Sequence, residues 1–145
     1  MVEMKHLSPD EVVERGIIRF AGKDQIQQVG IDLTVKHDTE IPAGGFSNIE
    51  VAEQFDMQDC FGIINIRSSY SRIGLFCSSG IYDPGFNGIG GLTIYNFGDK
   101  RFLKAGMRIA QMLVFSGAYS SQYEGHYNSN KSIDSKLVEG DNGKR

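Results

Sequence analysis

Tryptophan is absent, cysteine occurs twice, proline and histidine three times each, and no apolar run is long. Each shortage excludes something. Cys60 and Cys77 form no zinc or redox spacing, so they read as buried free thiols of a reducing cytoplasm. His6, His37 and His126 are scattered, and no Cys/His cluster is present to hold a metal by itself. No stretch reaches the ~20 apolar residues that a membrane helix needs. The opening residues, Met1 to Leu7, lack the apolar core of a signal peptide. A cytoplasmic location without a membrane partner is the expectation. Basic residues are not in excess either. Fifteen Lys and Arg stand against 18 Asp and Glu, a net charge of −3, with a pI near 5.6. That balance argues against a nucleic-acid partner. A local group (Arg67, Arg72, Lys100, Arg101, Lys104, Arg108) can still hold a small anion.

The chain does have enough apolar material for one core: 40% of 145 residues. Ser8-Pro9-Asp10-Glu11 is a compact helix start, with Ser8 as cap, Pro9 at the first helical position and Glu11 placed to close a capping box. Gly16 ends that short helix. Thereafter the pattern is β. Ile31–Val35, Phe61–Ile66, Leu92–Asn96 and Ile109–Phe115 read as strands, separated by Pro/Gly/Asp turns. Ser69 to Gly74 lacks alternation and predicts a short internal helix. Many short strands imply an all-β sandwich or jelly roll. Apolar content falls after Phe115, which places one domain over residues 1–130 and a flexible tail over 131–145.

The chemistry is concentrated between Arg67 and Gln111. Arg67-Ser68-Ser69 stands where a strand gives way to a helix, an arrangement that binds phosphate through hydroxyls, backbone N–H groups and a guanidinium. Equally, Ser68 could cap a structural helix and Arg67 pair with a surface carboxylate. Asp83, in Tyr82-Asp83-Pro84-Gly85-Phe86, is an ordinary turn residue or a general base for water. Phe86 is either core or a platform for a sugar. Asp32 and Gln111 are polar residues inside apolar strands, and each needs a partner.

Four of these segments, in order, resemble the motifs of the dUTPase / dCTP deaminase superfamily: Gly30-Ile31-Asp32-Leu33, Arg67-Ser68-Ser69, Gly80 through Gly88, and Gly106-Met107-Arg108-Ile109-Ala110-Gln111. The resemblance implies a distorted jelly roll, the dUTPase-like β-clip, assembled as a homotrimer with shared sites. It implies Asp83 as the catalytic base and Mg2+ on the substrate phosphates, with Asp32 holding a metal-bound water. Arg67, Ser68, Ser69 and Gln111 would fix the phosphates, with Arg72 adding charge nearby. Backbone groups around Gly80, Ile81 and Tyr82 and around Gly91, Leu92 and Thr93 would read the pyrimidine, and Phe86 would lie under the deoxyribose. His126 to Lys131 resembles the closing segment of deaminases, which brings in Tyr127 and Asn130. In style the chain is nearer the deaminases, yet it departs from them at one decisive place. They carry a proton-shuttling glutamate ten residues after the aspartate, where this chain has Thr93. The expected activity is therefore dUTP pyrophosphatase, giving dUMP and pyrophosphate. A dCTP deaminase or bifunctional enzyme and a non-catalytic nucleotide sensor are the alternatives.

Overall fold

The structure is a computed structural model that describes residues 3–117 and 124. The expected boundary at 130 and the tail beyond it lie outside the described residues. The fold is mostly β with two short helices, as the sequence predicts. In chain order the elements are β1 (Lys5–His6), α1 (Pro9–Glu14), β2 (Ile18–Arg19), β3 (Ile31–Thr34), β4 (Thr39–Ile41), β5 (Phe46–Asp56), β6 (Cys60–Ile66), α2 (Ser68–Ser71), β7 (Leu75–Ser78), β8 (Asn87–Asn96), β9 (Arg101–Leu103) and β10 (Arg108–Ser116). A single 3₁₀ turn, Lys23–Gln25, precedes β3.

Ser8 accepts from the Glu11 N–H at 3.3 Å, and Pro9 opens α1. The expected reciprocal bond from Glu11 is replaced by an ion pair with Arg15 at 3.6 Å. Gly16 stops the helix at φ +71°, a conformation that costs a side chain-bearing residue most.

Two antiparallel sheets enclose the core. In the first, β10 is central, with β6 along one edge and β3 and β1 sharing the other. In the second the order is β2-β5-β8-β7. A separate ribbon pairs β4 with β9. Side chains alternate across each strand. Ala110, Met112 and Val114 of β10 therefore meet Ile49, Val51 and Phe55 of β5 and Leu92 and Ile94 of β8 in one buried cluster. Within the first sheet, Gly62 of β6 makes room for the Met112 side chain of β10, whose methyl a Cβ would meet. Both cysteines are free and buried, and burial pushes each thiol up to about 11.

The longest strand, β5, was not among those predicted, because Glu53 interrupts its apolar alternation. Glu53 is 1% exposed yet fully paired. It accepts from the Thr34 N–H at 2.8 Å, the Thr34 hydroxyl at 2.6 Å and the Gln25 amide at 2.9 Å. These bonds tie β5 to β3 and to the turn before it, and they fix the back of the strand that carries Asp32.

Candidate active site

Register builds the site. On β10, Gln111 lies opposite Asp32 of β3 on one side and Asn65 of β6 on the other, so three polar side chains form one row across three strands. A one-residue shift between Arg108 and Ala110 adds a fourth group. In a regular strand, positions 108 and 111 would face opposite ways; the bulge turns both toward Asp32. Arg67, beyond the end of β6, reaches the same carboxylate. The resulting cleft, about 360 Å³, is lined by Gln27, Asp32, Asn65, Arg67, Ser68 and Gln111, with Ile66 and Leu113 completing the wall.

Asp32 is 1% exposed and serves as the counter-ion at the centre. Arg67 Nε stands 3.7 Å and Arg108 Nη1 3.5 Å from its Oδ2, while the Gln111 amide donates to Oδ1 at 3.4 Å. These are longer than the ~2.7–2.9 Å of a tight charge-assisted bond, so guanidinium donors remain for an incoming anion. Arg67 is further oriented by the Arg108 carbonyl at 3.0 Å, and Arg108 by the Asp24 carbonyl at 2.8 Å. Two guanidiniums and one carboxylate leave the cluster a net positive charge. The Ser68 and Ser69 side chains are exposed at the start of α2, where Arg67, not Ser68, is the N-cap and no side chain caps. Both hydroxyls are therefore free of capping.

The structure thus brings together Asp32, Arg67, Ser68 and Gln111, and adds Arg108, Asn65 and Gln27, which the sequence reading left out of the site. Arg108 sat inside a recognised segment, but the bulge that turns it inward leaves no mark in the pattern. Asp32, expected beside a metal-bound water, is shared by two guanidiniums, and among the described residues no three His, Cys, Asp or Glu side chains converge to ligate a metal directly. Arg72 is exposed at the C-cap of α2 and does not line the cleft.

Asp83 lies elsewhere. The preceding residue, Tyr82, bridges to Gly62 near the start of β6, whereas the cleft is at that strand's end. Five residues at about 3.3 Å each separate Gly62 from Arg67 by ~16 Å. The Asp83 loop is rigidly held: Gly85 N–H donates to the Gln58 carbonyl at 2.9 Å and Met57 N–H to the Phe86 carbonyl at 2.8 Å. Gln58 is held in turn by Arg15, whose guanidinium also binds Asp59 at 2.7 Å and keeps that carboxyl below its ordinary range. The Asp83 carboxylate itself is half-buried and has no hydrogen-bond or ion-pair partner among the described residues.

Two expectations around this loop are corrected. Phe86 is 4% exposed and packs edge-to-face on Tyr82 at 5.0 Å, so it is core and offers no platform for a sugar. The backbone of Tyr82 is consumed by Gly62, at 2.9 and 3.0 Å, and its phenol takes both the N–H and the carbonyl of Gly91, at 2.7 and 2.6 Å. Those backbone groups are not free to read a base. Leu92 is core, Gly80 and Ile81 are exposed, and the Thr93 hydroxyl donates to Asn48 at 2.6 Å. Tyr127 and Asn130 lie outside the described residues.

A sequence model described as dCTP deaminase-like matches residues 39–117. The chain belongs to that family. Curated relatives of this dCTP deaminase-like protein divide between activities. It is 26% identical to the dCTP deaminase of Sulfurisphaera tokodaii over 152 aligned positions, covering 91% of this chain and 81% of the other. It is 27% identical to a probable deoxyuridine 5'-triphosphate nucleotidohydrolase of Aeropyrum pernix, covering 83% and 96%. A segment is 29% identical to the Pol polyprotein of ovine maedi visna related virus, covering 61% of this chain but only 8% of the polyprotein. Among solved structures, the 2'-deoxycytidine 5'-triphosphate deaminase of Agrobacterium tumefaciens superposes with a TM-score of 0.68 at 14% identity, over 79% of this chain and 48% of that one. The native EIAV dUTPase superposes at 0.59 with 23% identity, over 90% and 100%. These superpositions establish the dUTPase-like β-clip fold.

Proposed function

We propose that this protein is a dUTP pyrophosphatase, converting dUTP and water to dUMP and pyrophosphate. The observation that carries the reading is the positively charged cleft in which Arg67, Arg108, Ser68 and Gln111 surround a buried counter-ion. Such a cleft suits a triphosphate: the arginines offer charge-assisted donors and the serine a hydroxyl. Asp83 is the base. Its carboxylate takes a proton from water as the water oxygen bonds to the α-phosphorus and the bond to the α–β bridging oxygen breaks. Pyrophosphate leaves with the electron pair. Because Asp83 and the cleft are far apart within one chain, the reaction needs Asp83 from a neighbouring subunit, consistent with a homotrimer whose sites are shared. Magnesium, implied by the resemblance, would arrive on the triphosphate and neutralise its charge; the described carboxylates do not fit as its anchor.

Thr93 separates this reading from deamination. A threonine hydroxyl has no pKa near neutrality and cannot shuttle protons at a cytosine ring. The test is a panel of deoxynucleoside triphosphates with product identification. Pyrophosphate and dUMP from dUTP are expected; the absence of pyrophosphate release from every member would overturn the assignment.

A further inference from the structure

Two side chains of the cleft end on one carbonyl. Arg108 Nη1 donates to the Asp24 carbonyl at 2.8 Å, and the Gln27 amide donates to the same oxygen at 3.1 Å. With that same nitrogen Arg108 approaches Asp32 only to 3.5 Å. The shorter bond decides where the guanidinium lies, so the Lys23–Gln25 turn aims Arg108 more than Asp32 does. The turn is held by the buried side chain of Gln25. Its Oε1 accepts the Gly22 N–H at 2.7 Å and closes the turn, while Nε2 donates to the Asp32 carbonyl at 2.8 Å and to Glu53 Oε2 at 2.9 Å. Gln25 thus joins the turn behind Arg108 to the strand that carries Asp32. Glu53 belongs to β5, in the other sheet. It has three neutral donors and no cationic partner among the described residues. A buried carboxylate of this kind is costly to place, and it is stiff once its oxygens are satisfied.

We infer that Gln25 and Glu53 are positioning residues for the phosphate cleft: Glu53 anchors Gln25, and Gln25 sets the turn whose Asp24 carbonyl aims Arg108 and Gln27 at an incoming phosphate chain. Neither touches the ligand. The role rests on the reading of the cleft as a triphosphate site. Among the described residues no bond of this network leads to the Asp83 turn, so affinity for the phosphates should change and turnover at saturation should not. Glu53→Gln tests the link, because the new amide must put N–H groups where one carboxylate oxygen stood. The Thr34 hydroxyl can turn to accept one, but Gln25 Nε2 offers only hydrogens. Flipping Gln25 gives no escape: its oxygen would then face the Asp32 carbonyl, and its amine the Gly22 N–H. The substitution therefore releases Gln25 at nearly constant size. Thr34→Val removes the other donor to Oε2 and leaves Gln25 in place.

The test titrates the full chain, wild type and variants, with inorganic tripolyphosphate and with the α,β-imido analogue of dUTP by calorimetry, beside steady-state pyrophosphate release from dUTP. Glu53→Gln should weaken both ligands roughly tenfold, as for a misplaced charge-assisted donor. The Michaelis constant should rise in step, with kcat kept within about twofold. Thr34→Val should lower the melting temperature and leave affinity unchanged. A merely structural role predicts the reverse pattern for Glu53→Gln. Less folded protein would lower kcat and the number of binding sites, while the sites that remain would keep their affinity. That pattern overturns the inference, as does an equal loss of affinity in Thr34→Val. Gln25→Met, which keeps the length and loses every bond, supplies the affinity if Glu53→Gln fails to fold. Failure of both to fold makes the network structural and overturns the inference too. If tripolyphosphate binding weakens as expected but wild type releases no pyrophosphate, the positioning role stands and the pyrophosphatase reading falls. Wild type that binds neither ligand overturns both.

Discussion

Asp32 and Asp83 are both aspartates of recognised motifs, and their surroundings are opposite. Asp32 is 1% exposed and divided among two arginines and a glutamine. Asp83 sits on a rigid turn, half-exposed, with no partner among the described residues. A carboxylate already committed to neighbours orients them and sets the local charge. A carboxylate held in place but uncommitted is available to take a proton. The pair teaches that motif membership does not assign a role; the donors around each oxygen do. It also shows that one chain keeps the arginine-bearing cleft and the Asp83 turn apart.

The largest effect is expected at the uncommitted carboxylate. Asp83→Asn should lower turnover by at least ~10²-fold, as for a lost positioned base, while binding of the α,β-imido analogue of dUTP persists. Steady-state pyrophosphate release and calorimetry check the two halves, and wild-type-like turnover would remove Asp83 from the mechanism. At the other pole, Arg67→Ala should raise the Michaelis constant roughly tenfold to a hundredfold, the equivalent of about 1.5–3 kcal/mol for a charge-assisted contact. An unchanged constant would make Arg67 a structural ion pair only. Mixing the two variants after unfolding and refolding them together sharpens the comparison. If the halves meet across subunits, the mixture regains a measurable part of wild-type turnover; a strictly additive loss would place both halves in one chain. The smallest effect is assigned to the support beneath the Asp83 turn. Asp59 is held below its usual range chiefly by the Arg15 hydrogen bond, but its side chain is 59% exposed, so Asp59→Asn should cost under ~1 kcal/mol. A depressed carboxyl stabilises above its unfolded pKa of ~3.9 and loses that contribution as pH falls through the folded value. Melting curves of the two proteins should therefore converge in acid, and a difference that survives there would point to packing instead.

Much of this is legible in the sequence. Ser8-Pro9 gave the first helix, and the turns bracketing Leu92–Asn96 and Ile109–Phe115 gave two strands, because local chemistry decides them. What was hidden depended on partners far along the chain. β5 escaped detection because a buried glutamate breaks its pattern, and only Thr34 and Gln25 make that burial tolerable. Phe86 was left open between core and platform, since a ring in a Gly/Pro turn says nothing about which sheet covers it. Arg67 and Gln111 enter the site from their motifs, whereas Asn65 is visible only through cross-strand register and Gln27 only through the turn that leads into β3.

The extra residue in β10 behaves like a gear tooth. Ile109 is 0% exposed because the shift between Arg108 and Ala110 turns it inward, and the same shift leaves Arg108 and Gln111 on one side. Tolerance of insertions and deletions should therefore be sharply stepped along this stretch. The turn at Ala105-Gly106, exposed on both residues, can change length cheaply. A single deletion at 109 would remove the bulge and leave Arg108 two positions before Gln111, still on its face beside Asp32, but would empty the core site that Ile109 fills. A library of one-residue deletions across 104–112, scored for triphosphate binding, would trace that step.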